Sequence, residues 1–277
     1  MTLREWLTWA EEKKVAIGHF NISDSEGFKA VVESVKEFLV PVIIGVSEGE
    51  REFIGLGEVI ALAKVARNNG LPVFVNADHT YSLAKVKEAI DAGVDSVIID
   101  ASDKTLEENI AITKEVVRYA NERALVEGEL GFIGKSSKIL EELPQGISKT
   151  DPDEAKRFVE ETGTDLFAPS VGNIHGIVKT GEPKLDIELI KTIHEKVKVP
   201  LVLHGASGNT DEEITQAIRA GVRIVHINTE LRLAYKEGLR EAVASGEIAP
   251  YKFMEVAVDN MKEVVGKKLK LFNGLTQ

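Results

Sequence analysis

The stretch Val73-Phe74-Val75-Asn76-Ala77-Asp78-His79-Thr80-Tyr81-Ser82 decides how the chain is read. It opens as an apolar run of valine and phenylalanine, residues that favour a strand. It ends in Asp78 and His79, two groups that are costly to bury without partners. A helix-like stretch follows at once, with Ser82 placed to cap it. A strand that delivers an acid and an imidazole at its carboxyl end is a place for chemistry. Two later stretches do something similar. Leu166-Phe167-Ala168-Pro169-Ser170-Val171 leads to Gly172-Asn173-Ile174-His175-Gly176, and Leu201-Val202-Leu203 leads to His204-Gly205-Ala206-Ser207-Gly208.

Outward from Val73 the chain alternates. Apolar runs at Val15–Ile22, Pro41–Val46, Val73–Asn76, Ser96–Ile99, Leu125–Leu130, Leu166–Val171, Leu201–Leu203 and Ile224–Asn228 read as strands. Amphipathic stretches between them read as helices: Asp24–Phe38, Leu56–Asn68, Leu83–Ala92, Leu106–Asn121, Pro152–Glu161, Ile187–Val197, Asp211–Ala220 and Glu230–Val243. The strands are short, continuous apolar runs, as parallel strands covered on both faces require. Glycine after several helices (Gly70, Gly93, Gly163, Gly221) suits a left-handed cap before the next strand. The expectation is an α/β fold, a single (β/α)8 barrel of the TIM type over residues 1–277, with a short helix at 2–14 in front and an extra helix at Lys252–Leu271 behind. An open doubly wound sheet is the runner-up, but no glycine fingerprint follows the first strand. The segment Gly131 to Thr150 breaks the rhythm, and long loops in compact domains are usually functional or disordered.

Composition bounds the partners. A chain of 277 residues with 43% hydrophobic and 29% charged residues is ordinary for a globular protein. Its net charge of −11 argues against nucleic acid, which is bound through cationic contacts to phosphate. No apolar run approaches the length of a membrane span, and the N-terminus lacks the pattern of a signal peptide, so a cytoplasmic protein is expected. With no cysteine, any metal must be held by histidine, aspartate or glutamate.

In such a barrel, function sits at the carboxyl ends of the strands. The residues there are His19 and Asn21, Ser47, Asp78 and His79, Asp100, Glu127 and Glu129, Asn173 and His175, His204 to Ser207, and His226 to Thr229. Three neutral imidazoles with an open fourth position make a catalytic zinc set, and a dication held there can polarise a carbonyl and stabilise an enolate. His79, His175 and His204 occupy matching positions in different units. A lone rim histidine is more often structural, and His19 is read so; His194 lies on a polar helix face and reads as inert. Asp100 reads as a supporting carboxylate rather than a ligand. The turn Gly205-Ala206-Ser207-Gly208 and the Asn228-Thr229 turn precede the last two barrel helices. Backbone N–H groups at glycine turns and helix N-termini attract anions, so these turns read as a phosphate cradle.

Taken together, the residues resemble the class II, metal-dependent ketose-bisphosphate aldolases, the fructose- and tagatose-bisphosphate enzymes. The resemblance runs through nearly the whole chain and is carried by Asn76-Ala77-Asp78-His79, Val126-Glu127-Gly128-Glu129-Leu130-Gly131, Gly172-Asn173-Ile174-His175-Gly176, Pro200 to Gly208, and Asn228-Thr229-Glu230. It implies that His79, His175 and His204 hold a catalytic zinc or similar divalent ion, with Glu129 at a neighbouring or alternative metal position. It implies that Asp78 is the acid-base group at the aldol hydroxyl. It implies that Gly176, Gly205, Ala206, Ser207, His226, Ile227, Asn228 and Thr229 hold dihydroxyacetone phosphate, with Ser47 facing the substrate. A monovalent cation near the phosphate and a homo-oligomer, dimer or tetramer, belong to the same expectation.

The chain departs from that family twice. A glutamate in a Gly-Gly-x-Glu-Asp-like context on the loop after strand five, which exchanges a proton with the enediolate carbon, is missing; Glu141 and Glu142 are the candidates for that role. An arginine expected near the C-terminus for the distal phosphate is missing, and Glu255 stands in the stretch Tyr251-Lys252-Phe253-Met254-Glu255. The distal phosphate must then find Arg51 or the Lys135-Ser136-Ser137-Lys138 group, or the substrate lacks it. Competing readings are a tagatose-bisphosphate or other ketose-phosphate aldolase, a metal-dependent barrel hydrolase, and a non-catalytic sugar-phosphate binder. The hydrolase expectation is weakened by His19-Phe20-Asn21, which lacks a His-x-His pair on strand one.

Overall fold

Eight parallel strands close into a barrel in the computed structural model, which describes residues 1–134, 138–142, 148–179 and 183–275. The strands in chain order are β1 (Ile17–Asn21), β2 (Val42–Val46), β3 (Val73–Thr80), β4 (Ser96–Ile99), β5 (Leu125–Leu130), β6 (Ile139–Leu140), β7 (Leu166–Pro169), β8 (Ile177–Val178), β9 (Leu201–Leu203) and β10 (Val222–Ile227). All but β6 and β8 belong to the barrel, which closes where β1 pairs with β10. The helices are α1 (Leu3–Lys13), α2 (Ser25–Phe38), α3 (Glu48–Ile54), α4 (Leu56–Asn68), α5 (Leu83–Ala92), α6 (Leu106–Ala120), α7 (Pro152–Thr162), α8 (Ile187–Val197), α9 (Asp211–Ala220), α10 (Thr229–Ala244) and α11 (Pro250–Asn273). The expected α/β barrel is therefore the fold, with an N-terminal helix before it and a C-terminal helix after it.

The helices start where the sequence supplies a cap. Asp24, Ser82, Thr105, Asp151, Asp186 and Thr210 each accept a first-turn N–H with the side chain. Gly93 and Gly163 close α5 and α7 in the left-handed conformation, at φ 94° and 69°.

Side chains alternate across each strand, so every second residue faces the barrel axis. Near the amino ends that inward row is apolar: Ile17, Ile43, Phe74, Leu125, Leu166, Val202 and Ile224 pack with Leu3, Leu7 and Ala10 of α1, which plugs the barrel from below. Two residues further along five of these strands the inward row turns polar, with His19, Asn76, Glu127, His204 and His226 all buried. The larger apolar core lies outside the strands, beneath the helices. The barrel thus has a dry base, a buried polar layer above it, and a polar mouth.

Several element ends shift by about two residues from the sequence reading, and four details bear on the site. β3 runs through Thr80 instead of ending at Asn76. β7 ends at Pro169 instead of Val171. A short helix, α3, follows β2 where none was expected. Within the long segment after β5, Ile139–Leu140 pairs with Ile177–Val178 as a two-residue ladder, so the loops after β5 and β7 lie side by side over the barrel mouth.

Candidate active site

Asp78 and His79 are neighbours in β3, and a regular strand would send them to opposite faces. The pairing of β3 with β4 shifts register between Ala77 and Thr80, and His79 takes a positive φ of 38°. Such a bulge re-aims a side chain. Both groups now face the mouth, with Asp78 Oδ1 4.0 Å from His79 Nε2.

His79, His175 and His204 come together from β3 and the loops after β7 and β9, with ligand nitrogens all within 4.8 Å of one another. Each ring has its outward nitrogen occupied. His79 Nδ1 meets Asp100 Oδ2 at 3.1 Å, His175 Nδ1 meets the Gly134 carbonyl at 2.7 Å, and His204 Nε2 meets Glu127 Oε1 at 2.6 Å. The Asp100 carboxylate and the Gly134 carbonyl can only accept, so the protons of those two rings sit outward. Their inward nitrogens are the ones that offer a lone pair once any second proton is lost, and there His204 Nδ1 stands 3.2 Å from His79 Nε2. Converging imidazole nitrogens, each ring oriented by a hydrogen-bond partner behind it, are what a divalent ion of the zinc type requires. Among the described residues, the buried oxygens Asp78 Oδ1 and Glu129 Oε2 lack any hydrogen-bond partner beside this cluster. The residues fit a metal. Glu129 also joins His79 and Asp100 in a second, overlapping group of the same spacing.

The charges follow from burial and neighbours. Burial works against a charged His79, but the Asp78 charge and the Asp100 hydrogen bond outweigh it and lift the ring to about 10. Burial likewise opposes the Asp78 charge, yet the neighbouring imidazoles hold it well below the usual carboxylate range. Burial, then the charge on His79, pushes His175 down to about 4 and His204 well down. Glu129, buried beside Asp100, rises to about 8.

A buried polar layer supports this mouth. His19 and His226 stack with ring centroids 3.4 Å apart, and His226 stacks in turn on His204 at 4.0 Å. His19 Nε2 lies 3.3 Å from Asn76 Oδ1. Gly45 makes room for the His19 ring, since a Cβ there would lie 2.0 Å from its Cε1. The His19 and His226 pair also stands with Asp78 in a further group whose possible ligand atoms lie within 4.8 Å of one another.

Of the residues expected to hold phosphate, Gly176, Gly205, Ser207, His226, Asn228 and Thr229 line one small cavity with Asp78, His79 and His175. Gly205, at φ 62°, presses against the Ile174 carbonyl; a Cβ would lie 2.1 Å from that oxygen. α10 begins at Thr229, so its N-terminal N–H groups point at this cavity. Ala206 and Ile227 are fully buried in the outer core, which leaves only their backbone for a ligand. Ser47 caps α3 at the rim of a second, outer cavity shared with Tyr81, Asp100, His175, Asn228 and Arg232.

Other sequence candidates lie elsewhere. Glu141 and Glu142 are exposed, and Glu141 pairs with Lys179 at 2.7 Å, so neither joins the imidazole cluster. Lys135, Ser136 and Ser137 lie outside the described residues, and Lys138 is exposed. Arg51 is spent on the scaffold, donating to the carbonyls of Val46 and Asp78 and to Thr80 Oγ1 at 3.0–3.2 Å. Among the described residues, the cation that lines the outer cavity is instead Arg232, one of many helix-surface cations in the sequence and recognisable only by its place. Glu50, which links Arg232 to Asn21, was equally hidden.

Comparison with known proteins agrees with this geometry. The family model described as Fructose-bisphosphate aldolase class-II matches residues 1–276. The chain belongs to this family. It is therefore a carbon-carbon lyase of a metal-dependent kind. It is 38% identical over 279 aligned residues to the fructose-bisphosphate aldolase of Staphylococcus aureus (strain Mu50 / ATCC 700699), covering 98% of this chain and 96% of that one. The fructose-bisphosphate aldolase of Geobacillus stearothermophilus is 37% identical with the same coverage. Among solved structures, the YdjI aldolase from Escherichia coli K12 superposes with a TM-score of 0.86 at 34% identity, covering 98% of this chain and 96% of that one. No helix of the described residues is long and apolar enough to cross a membrane.

Proposed function

We propose that the protein cleaves a ketose 1,6-bisphosphate, fructose 1,6-bisphosphate in the first instance, into dihydroxyacetone phosphate and an aldehyde, with zinc held by His79, His175 and His204. The observation that carries the reading is the set of three imidazoles with their outer nitrogens occupied and their inner ones converging. A divalent ion there supplies the positive charge that stabilises an enediolate. Asp78, with Oδ1 unpartnered at the cluster, takes the C4 hydroxyl proton as the C3–C4 bond breaks and returns it on condensation. Gly176, Gly205, Ser207 and the α10 N-terminus hold the C1 phosphate. A further group gives C3 its proton. Glu141 and Glu142 stand as candidates if the loop carrying them moves onto bound substrate; Glu129, raised to about 8 and already at the cluster, is the alternative. Arg232 at the outer cavity takes the distal phosphate beside its bond to Glu50, since its side chain is 48% exposed where that of Arg51 is 8%, and Glu255 is an exposed carboxylate. A homo-oligomer and a cytoplasmic setting, where sugar phosphates are made, complete the reading.

The test is turnover with fructose 1,6-bisphosphate, tagatose 1,6-bisphosphate and fructose 1-phosphate, by the parent and Arg232→Ala. The proposal expects fructose 1,6-bisphosphate to be the best substrate, and Arg232→Ala to raise KM for the bisphosphates alone. Preference for tagatose 1,6-bisphosphate assigns the other C4 configuration, and equal KM values for mono- and bisphosphates in the parent rule out the distal phosphate.

A further inference from the structure

We propose that Glu50 is a positioning residue for Asp78, acting through Asn21; this rests on the acid-base role given to Asp78 above. Glu50 is 6% exposed on α3, a carboxylate buried close to another carboxylate. Between the two stands one amide nitrogen. Asn21 Nδ2 donates to Glu50 Oε2 at 2.8 Å and to Asp78 Oδ2 at 2.9 Å. That nitrogen carries two hydrogens, one for each carboxylate. Flipping the amide would set its oxygen against two anionic oxygens, so its orientation is fixed by having both acids present. Asp78 Oδ2 is thereby held, and Oδ1, which has no hydrogen-bond partner and lies 3.7 Å from His226 Nδ1 and 4.0 Å from His79 Nε2, is the oxygen left for the substrate.

Glu50 is itself held from two further sides. Its Oε2 accepts the Ser47 N–H at 2.8 Å, and its Oε1 accepts from Arg232 Nη2 at 2.7 Å. The chain of contacts runs from α10 through α3 and β1 to Asp78 on β3. The spacing Ser47 to Glu50 is that of a helix capping box, which gives the plain alternative that Glu50 only caps α3. Capping needs the Ser47 contact alone. It does not explain why the same oxygen also takes Asn21.

The experiment compares two rates in the metal-loaded protein: C–C cleavage, which needs Asp78, and proton exchange into dihydroxyacetone phosphate, which does not. Glu50→Ala should lower cleavage kcat about 10-fold, the size carried by one hydrogen bond to a charged group, while exchange and metal content stay at parental values. Glu50→Gln should recover most of the loss, because one amide oxygen can still accept from Ser47 and Asn21. Asn21→Ala should show the same selective loss, and adding Glu50→Ala to it should cost nothing more, whereas independent effects would add. If Glu50→Ala folds poorly, Glu50→Gln and Asn21→Ala still decide. Asn21→Ala with cleavage and exchange falling together overturns the proposal, as does Glu50→Gln with cleavage no better than Glu50→Ala or an additive double variant. A parent that exchanges but cleaves nothing refutes the proposed reaction instead.

Discussion

Replacing Asp100 separates two ways of losing one hydrogen bond, and the structure predicts which is worse. Asp100 Oδ2 accepts from His79 Nδ1 at 3.1 Å, while Oδ1 accepts both the Ser102 N–H at 3.2 Å and the Ser102 hydroxyl at 2.7 Å. In Asp100→Ala, His79 loses its acceptor, but water can replace it and the inward lone pair survives. Loss of an acceptor behind a metal-ligating imidazole typically costs 10–100-fold in metal affinity; the alanine variant belongs at the low end, about 10-fold or ~1.4 kcal/mol. In Asp100→Asn the single amide oxygen goes to the two Ser102 donors. The amide NH2 then faces His79 Nδ1 and selects the tautomer with its proton inward, where the ligand lone pair should be. That variant belongs at the high end, about 100-fold or ~2.7 kcal/mol. Competition of the metal-free proteins against a fluorescent zinc chelator reads both values. Asparagine binding zinc as tightly as aspartate, or more tightly than alanine, would refute the reasoning.

Three further outcomes follow from the same geometry. Asp78→Ala should keep its metal and lose roughly 10²–10⁴-fold in cleavage, read by metal analysis and steady-state turnover; parental turnover would remove Asp78 from the mechanism. Gly205→Ala must move the Ile174 carbonyl, since its Cβ would lie 2.1 Å from that oxygen; a cost of about 2 kcal/mol lowers Tm by ~4–8 °C in a chain of this size, and an unchanged melting curve would contradict the close approach. His79 lifted to about 10 keeps a proton that a divalent ion must displace. Metal affinity should therefore rise with pH, about tenfold per unit below that value for one proton released, and a flat profile by calorimetry between about pH 6.5 and 8.5 would show that His79 is not protonated in the metal-free protein.

Much of the fold was legible because strands and helices alternate with their own periods. The runs Val97-Ile98-Ile99 and Leu201-Val202-Leu203 lie in buried strands, and Ser82 caps its helix where expected. β3 was read too short because a bulge leaves no trace in an apolar pattern: Asp78-His79 looks like the end of a strand but is a kinked continuation of it. α3 was missed because it has only seven residues, with Gly49 in its first turn. The three imidazoles could be grouped from sequence because each comes at or soon after the end of an apolar run that reads as a strand. Their supports could not. Asp100 and Glu127 are ordinary acids until the fold sets each behind one ring. Arg51 looked like a phosphate cation, yet its partners are carbonyls of β2 and β3, and a sequence does not advertise backbone acceptors. Arg232 and Glu50 belong to separate helices and acquire meaning only as a pair at the mouth.

The most direct measurement is fructose 1,6-bisphosphate cleavage by the exhaustively chelated protein before and after adding one equivalent of zinc, with His79→Ala, His175→Ala and His204→Ala alongside. The imidazole cluster predicts no turnover after chelation, recovery with zinc in the parent, and no recovery in any of the three variants. Full turnover by the chelated parent, or recovery in a variant lacking one of the three rings, would contradict it.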